Sequence, residues 1–205
     1  MSAARGKWIK WVLVATALVV VLFLARMREA EQLSRGPGGR GRPATRAWAM
    51  FRPPGGGFTI VMPPSPRAEE ATKTQWGVEL KVRGYTATDA GMAFTVAWYD
   101  RPDHPAADWT PEALLRDVRA NVLIQQPGAE VKEQPVTIGR WTGLKMSVRQ
   151  TRPPRVSRLC LLPAGDRCFT LLVSGDPKAW QDRLAERFLN SFRLNEAPAS
   201  EKAEM

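Results

Sequence analysis

Residues 76–98 read WGVELKVRGYTATDAGMAFTVAW, and in two runs of this stretch every second residue is apolar. The apolar positions are Trp76, Val78, Leu80 and Val82 in the first run and Met92, Phe94, Val96 and Trp98 in the second. Alternation with period two is typical of strands that bury one face. Ala90-Gly91 falls between the runs, where a tight turn is expected. The stretch therefore predicts a pair of antiparallel strands.

Five further runs predict strands on either side of this pair. They are residues 58–62, 131–138, 144–148, 156–162 and 167–173. Pro135 interrupts the second of these runs, and because proline cannot donate to a ladder, that strand is expected at a sheet edge. Gly165-Asp166 is expected to form a two-residue hairpin turn between the last two runs.

Two helices are predicted between and after these strands. For the first, Thr110 is the expected N-cap, Pro111 the first helical residue, and Trp109 with Leu114 a hydrophobic staple. For the second, the corresponding cap is Asp176, followed by Pro177. The apolar faces are Leu114, Leu115, Val118 and Val122 in the first helix and Trp180, Leu184 and Phe188 in the second. Strands clustered between helices predict an α+β fold with a mostly antiparallel sheet and two packed helices.

A transmembrane helix is predicted ahead of this domain. Trp8–Ala25 reads WIKWVLVATALVVVLFLA, and its 18 residues span about 27 Å as a helix, close to the thickness of a bilayer core. A cleaved signal peptide is the main alternative, but Ala25 pairs with the bulky Phe23 at the cleavage position. A buried soluble helix is the third alternative. The short basic tail before the span favours a domain outside the cytoplasm, whereas the larger number of arginines after it favours the opposite orientation.

Composition places the charge beside the predicted membrane span. The formal net charge is +10, and residues 1–57 contain ten Lys and Arg against two Asp and Glu. The predicted organisation is a basic tail at 1–7, the anchor at 8–25, a Gly/Pro/Arg-rich linker at 26–55, the globular domain at 56–194 and a disordered tail at 195–205. The linker could bind nucleic acid, but it has no interleaved aromatic residues, so a solvated spacer is favoured.

Three segments together resemble a known family. They are Gly57–Pro63 (GFTIVMP), the strand segment Phe94-Thr95-Val96, and Arg187–Leu194 (RFLNSFRL). They are similar to the PsbP-like superfamily in the broad sense, which includes bacterial exported domains of the DcrB and LpqN type. The resemblance covers about residues 56–194 and implies an antiparallel sheet between helices, an α/β/α sandwich. It also implies a binding or assembly module rather than an enzyme, and no functional residue of the family is carried over to this chain.

The candidate binding residues are four arginines around a Pro-Pro step. Arg149, Arg152, Arg155 and Arg158 bracket Pro153-Pro154 with no acidic residue among them. Arginine forks suit phosphate or carboxylate, so an anionic lipid headgroup or an acidic protein is a possible partner. A solvated loop is the alternative. Trp141 follows a predicted turn and is the tryptophan most expected to be exposed.

Candidates for catalysis or metal binding are few. His104 is the single histidine and lies near Asp100 and Asp103, so it is the one plausible general base. The two cysteines match no zinc motif, and we predict no metal and no cofactor. Cys160 and Cys168 flank the predicted hairpin turn. They point to opposite faces if the turn has two residues, and a disulfide remains open.

The sequence therefore predicts a membrane-tethered, non-enzymatic α+β domain with a binding or assembly role at the cell envelope. An enzyme of unknown class that uses His104, and a nucleic-acid binder that uses the Arg/Gly-rich linker, are the alternatives.

Overall fold

The computed structural model describes residues 47–75, 78–102 and 110–195. Its strands and helices are β1 (Ala49–Phe51), β2 (Phe58–Met62), β3 (Arg67–Gln75), β4 (Val78–Asp89), β5 (Met92–Asp100), α1 (Pro111–Gln125), β6 (Glu130–Ile138), β7 (Trp141–Thr151), β8 (Pro154–Ala164), β9 (Arg167–Gly175), α2 (Asp182–Asn190) and β10 (Arg193–Leu194). All seven predicted strands and both predicted helices are present. The predicted anchor Trp8–Ala25, Trp76, His104, Trp109 and the tail after Asn195 lie outside the described residues.

Seven strands form the main sheet in the order β3-β4-β5-β9-β8-β7-β6, and every neighbouring pair is antiparallel. The predicted β4–β5 hairpin is confirmed: Asp89 pairs with Met92, and Ala90 and Gly91 both have positive φ. Two such residues suit a hairpin turn whose twist matches that of its strands. The strand with Pro135 lies at the edge, as predicted.

The opposite edge strand, β3, was not predicted. Its sequence RAEEATKTQ contains only two apolar residues, both alanine, so it shows no period-two pattern. It nevertheless pairs with β4 along its whole length, from Arg67 with Thr86 to Gln75 with Val78. The backbone ladder, rather than an apolar side-chain pattern, holds this strand in the sheet.

The predicted first strand, β2, is not part of the large sheet. It pairs with β1 on one side and β10 on the other in a separate three-stranded sheet. This small sheet contributes Phe58, Ile60 and Met62 to the same buried cluster as Phe188 of α2. β1 also shows that the last residues of the predicted linker, from Ala49 onward, already belong to the packed domain.

The two helices pack against opposite faces of the main sheet. In β5, Phe94, Val96 and Trp98 share a buried cluster with α2, whereas Ala97 and Tyr99 share one with α1. Successive side chains of a strand point to opposite faces, so the two clusters lie on the two sides of the sheet. Below, these sides are called the α2 face and the α1 face.

The predicted N-cap residue is confirmed for α1 and not for α2. Thr110 caps α1 through a 3.3 Å hydrogen bond from the backbone N–H of Ala113 to its Oγ1. The prediction that Asp176 caps the second helix was wrong, because α2 begins at Asp182. The Asp176 carboxylate instead accepts from the N–H of Lys178 in a turn, and the N–H of Gln181 contacts the sulfur of Met92. Contacts with the sheet therefore delay the helix by about one and a half turns.

No helix within residues 47–75, 78–102 and 110–195 is long and apolar enough to cross a membrane.

Candidate functional site

The β7–β8 hairpin carries the predicted arginines. Thr151 pairs with Pro154, so Arg152 and Pro153 form the turn, and the Arg152 side chain is exposed. Met92 of β5 and Val156 of β8 both pair with Gly175 of β9. The β7–β8 turn and the β4–β5 turn therefore lie at the same end of the sheet, which we call the proximal end. The opposite end, with the β6–β7 and β8–β9 turns, is the distal end.

The four arginines do not converge on one site. Arg158 pairs with Ser147, and Arg155 pairs with Gln150, three register positions apart in the same hairpin. Because Cys160 lies in the cluster on the α2 face, alternation places Arg158 on that face and Arg155 on the α1 face. Arg149 is exposed on the α2 face. A single phosphate clamp of four guanidinium groups is therefore not formed.

Two of the four arginines bind side chains of the fold itself. Arg158 donates to Asp182 Oδ1 at 2.5 Å and to Glu186 Oε1 at 2.6 Å, and its guanidinium lies 5.6 Å from the ring centroid of Trp180. Its side chain is only 21% exposed, so it attaches α2 to the sheet. Arg155 donates to Ser174 Oγ at 3.0 Å. Arg149 and Arg152 are left as the exposed pair, with Glu130 of β6 opposite Arg149.

Trp141 lies away from this pair. It begins β7 at the distal end, and its ring is partly buried against the cluster on the α2 face. The Arg140 guanidinium lies 4.9 Å from the ring centroid. The predicted exposure of Trp141 is therefore found only in part, since the ring also packs against the cluster on the α2 face.

The chain enters the described domain at the proximal end. The indole N–H of Trp48 donates to Asp89 Oδ2 at 2.7 Å, and Asp89 ends β4 at the β4–β5 turn. The Trp48 ring also packs edge-on against Phe94, with the Arg187 guanidinium 5.1 Å from its centroid. The first residues of the domain and the turn that carries Arg152 are therefore at the same end of the sheet.

A groove lies on the α2 face beside the helix. It has a volume of about 300 Å³ and lies between β6, the floor strand β7 and the end of α2. Lys145 on its floor donates to both carboxylate oxygens of Glu186 at 3.0 Å. Glu186 also accepts from Arg158 and from Asn190. No sequence pattern indicated this groove, because its walls come from segments about 50 residues apart along the chain.

The α1 face contains a buried polar group that the sequence did not reveal. Lys73, on edge strand β3, is 5% exposed, and burial lowers its pKa to about 8. Burial also raises the pKa of Tyr99 well above its usual value. Lys73 was missed because β3 was missed. An inward-pointing lysine on an edge strand also disfavours pairing with another chain.

The two cysteines are free thiols on opposite faces. Cys160 belongs to the cluster on the α2 face and Cys168 to the one on the α1 face. Residues 165 and 166 form the two-residue turn between β8 and β9, which produces this arrangement. Burial raises the pKa of Cys160 to about 11 and that of Cys168 to about 12, so both thiols are neutral near pH 7.

No protein-family model matches the sequence. No curated protein matches it either. Among solved structures, cyanobacterial PsbP (CyanoP) from Synechocystis sp. PCC 6803 is similar in fold, with a TM-score of 0.50, 13% identity, and coverage of 78% of this chain and 99% of that chain.

Two weaker likenesses were also found. PA94 from Pseudomonas aeruginosa, a protein of unknown function, has a TM-score of 0.37 and 10% identity over 64% of this chain and 85% of that chain. A protein from Bacteroides thetaiotaomicron has a TM-score of 0.41 and 18% identity over 71% of this chain and 47% of that chain. The likeness to CyanoP, together with the antiparallel sheet between two helices, confirms that this domain has a PsbP-like fold.

Proposed function

We propose that this chain is a membrane-tethered, non-enzymatic binding domain of the cell envelope. Trp8–Ala25 would be its single transmembrane helix, with the PsbP-like domain outside the cytoplasm. The exposed arginines at the proximal end would bind anionic lipid headgroups of the same membrane. The sequence pattern of the anchor and the binding role implied by the PsbP-like resemblance support the proposal.

One observation carries the lipid contact: Trp48, where the chain enters the domain, and Arg152 lie at the same end of the sheet. If the anchor is in the bilayer, residues 26–46 separate it from the domain. A flexible linker of this length has a root-mean-square span of about 25 Å. The proximal end would thus stay close to the headgroups, where each Lys or Arg gains about 1 kcal/mol from anionic lipid.

The tether is tested by membrane fractionation and N-terminal sequencing of the chain expressed in a bacterial host. We expect the full chain in the membrane fraction after carbonate extraction. A soluble mature chain that begins after Ala25 would contradict the tether.

The lipid contact is tested with residues 47–205, which omit the arginines of residues 26–46, and sedimentation of vesicles, since residues 47–195 contain both faces of the packed core. We expect binding to vesicles with phosphatidylserine, weak binding to phosphatidylcholine alone, and a decrease with salt. Arg149→Glu with Arg152→Glu should abolish binding. The matched control is Arg101→Glu with Arg140→Glu, the same charge change at the distal end, which should keep most of it.

Equal loss in both double variants would mean that net charge, not the proximal end, determines binding. Binding to poly-glutamate but not to vesicles would point instead to an acidic protein partner.

A further inference from the structure

The groove on the α2 face exists because the main sheet is wider than the layer formed by α2 and the small sheet. Seven strands at about 4.8 Å spacing make a sheet roughly 30 Å wide, whereas one helix with side chains is about 10–12 Å across. α2 and the small sheet pack over β5, β9 and β8. The same face of β7 and β6 extends beyond that cover, and the exposed side of α2 becomes the wall of a groove.

The groove combines an apolar interior with cationic groups. Val136 and Ile138 of β6 are partly exposed and supply its apolar surface, and the buried Leu189 and Phe192 also line it. Cys160, a neutral thiol, lies on the floor. The volume of about 300 Å³ is at the lower end of the range for small-molecule sites. The apolar part therefore fits a body of the size of a bicyclic aromatic ring or a short acyl chain.

Two cations and no carboxylate line the groove among the described residues. The Lys145 side chain is 15% exposed. Its ammonium has three N–H donors, and the two hydrogen bonds to Glu186 use two of them. Arg193 follows α2 on the wall of the groove, where its Nη1 donates to the backbone oxygens of Asn190 and Phe192 at 2.7 Å. These two bonds orient its guanidinium at the rim.

The neighbouring charges leave the groove positive. Glu186 and Asp182 offset Lys145 and Arg158, with which they form ion pairs. Arg193 has no carboxylate in salt-bridge distance among the described residues and remains as the surplus charge. An anionic head placed between Lys145 and Arg193 would therefore meet charge-assisted donors from the floor and from one wall of the groove.

We propose that this groove binds a small amphiphile with an apolar body and a single anionic head such as a carboxylate. The body would lie against Val136 and Ile138, and the head would lie between Lys145 and Arg193. This site is separate from the proximal arginines and does not depend on the lipid contact proposed for them.

The test uses the full chain in phosphatidylcholine nanodiscs and 2-naphthoate as the probe, with 2-naphthamide as its neutral counterpart. Binding is followed by saturation-transfer NMR, with empty nanodiscs subtracted. We expect the carboxylate to bind about tenfold more tightly than the amide, because only the carboxylate forms charge-assisted bonds with both cations. Lys145→Gln and Arg193→Gln should each remove most of that preference while the amide affinity stays unchanged.

Val136→Trp, which fills the groove from the edge strand, should abolish binding of both probes. The matched control is Leu123→Trp, an equally large addition at an exposed position of α1, which should leave binding unchanged. Circular dichroism of each variant identifies any that fails to fold, and the two glutamine variants then carry the test. Equal affinity for both probes, binding that survives Val136→Trp, or no binding of 2-naphthoate at millimolar concentration would overturn the proposal.

Discussion

The two faces of the sheet are covered by different means. On the α2 face, a helix of nine residues packs among aromatic rings: Phe58 meets Trp98 and Phe169 edge-on, and Phe94 meets Phe188. On the α1 face, a helix of 15 residues packs mainly on aliphatic side chains and covers the buried Lys73 and Tyr99. Because a short helix makes few contacts with the sheet, large aromatic rings and ion pairs are needed to hold it there. The buried polar groups of the α1 face have polar neighbours: Tyr99 forms a hydrogen bond with Cys168, and Asp117 of the longer helix favours the ammonium of Lys73.

The largest expected effect comes from removing an aromatic ring on the α2 face. Trp98 is 1% exposed in the middle of β5, and Trp98→Ala should lower the free energy of unfolding by about 3–5 kcal/mol. Urea denaturation of residues 26–205 measures this change. Trp98→Phe is the control: the indole N–H has no hydrogen-bond partner among the described residues, so a phenyl ring loses packing only. A small change in the midpoint for Trp98→Ala would contradict the aromatic account of this face.

The ion pairs at the rim of the same face should contribute less. Arg158→Met removes the bonds to Asp182 and Glu186 and should cost about 1–2 kcal/mol in the free energy of unfolding. Arg149→Met, two registers away and exposed, should change it by less than about 0.5 kcal/mol. Equal effects of the two substitutions would mean that α2 does not need this attachment.

The smallest effect is expected on the α1 face and has a different dependence on pH. The pKa of Lys73 is about 8 in the folded state and 10.5 in its usual state, so folding buries an ammonium below pH 8. Between pH 8 and 10.5 the unfolded chain binds more protons, and stability rises with pH. Lys73 should therefore add on the order of 1 kcal/mol of stability between pH 7 and pH 9.

Lys73→Met should remove this rise and should make the protein more stable at pH 7. The burial-raised pKa values of Tyr99, Cys160 and Cys168 act in the opposite direction above pH 9, because the folded state keeps their protons. Comparing the variant with the parent at pH 7, 8 and 9 cancels that contribution. A parallel pH dependence in the two proteins would show that Lys73 does not titrate in this range.

Most of the main sheet was predictable because strands with a buried face have apolar residues at regular positions in the sequence. β4, β5, β7, β8 and β9 each bury side chains on at least one face, so period two or a continuous apolar run marks them. β3 has no such mark, since an edge strand can be held by its ladder alone. The cap of α1 was predictable because Thr110 acts within four residues, whereas the start of α2 depends on contacts with Met92 across the fold.

For the candidate site, the sequence identified the arginines but not their positions or partners in the fold. The spacing of the four arginines indicated a basic segment around Pro153-Pro154, but alternation along β8 places Arg155 and Arg158 on opposite faces of the sheet. The acids that bind Arg158 come from α2, 24 and 28 residues later in the chain. Lys145 reaches Glu186 over 41 residues. Such pairings follow from where the strands and helix are placed, which local sequence does not encode.

The sequence by itself determined the α+β class, six of the seven strands of the main sheet and the turn between the cysteines, because each depends on the pattern of neighbouring residues. Only the tertiary structure decided which arginines are exposed, that Lys73 is buried, and that a groove opens beside α2. Those features depend on which surfaces meet across the sheet, and the same short sequences would accept other neighbours in another fold.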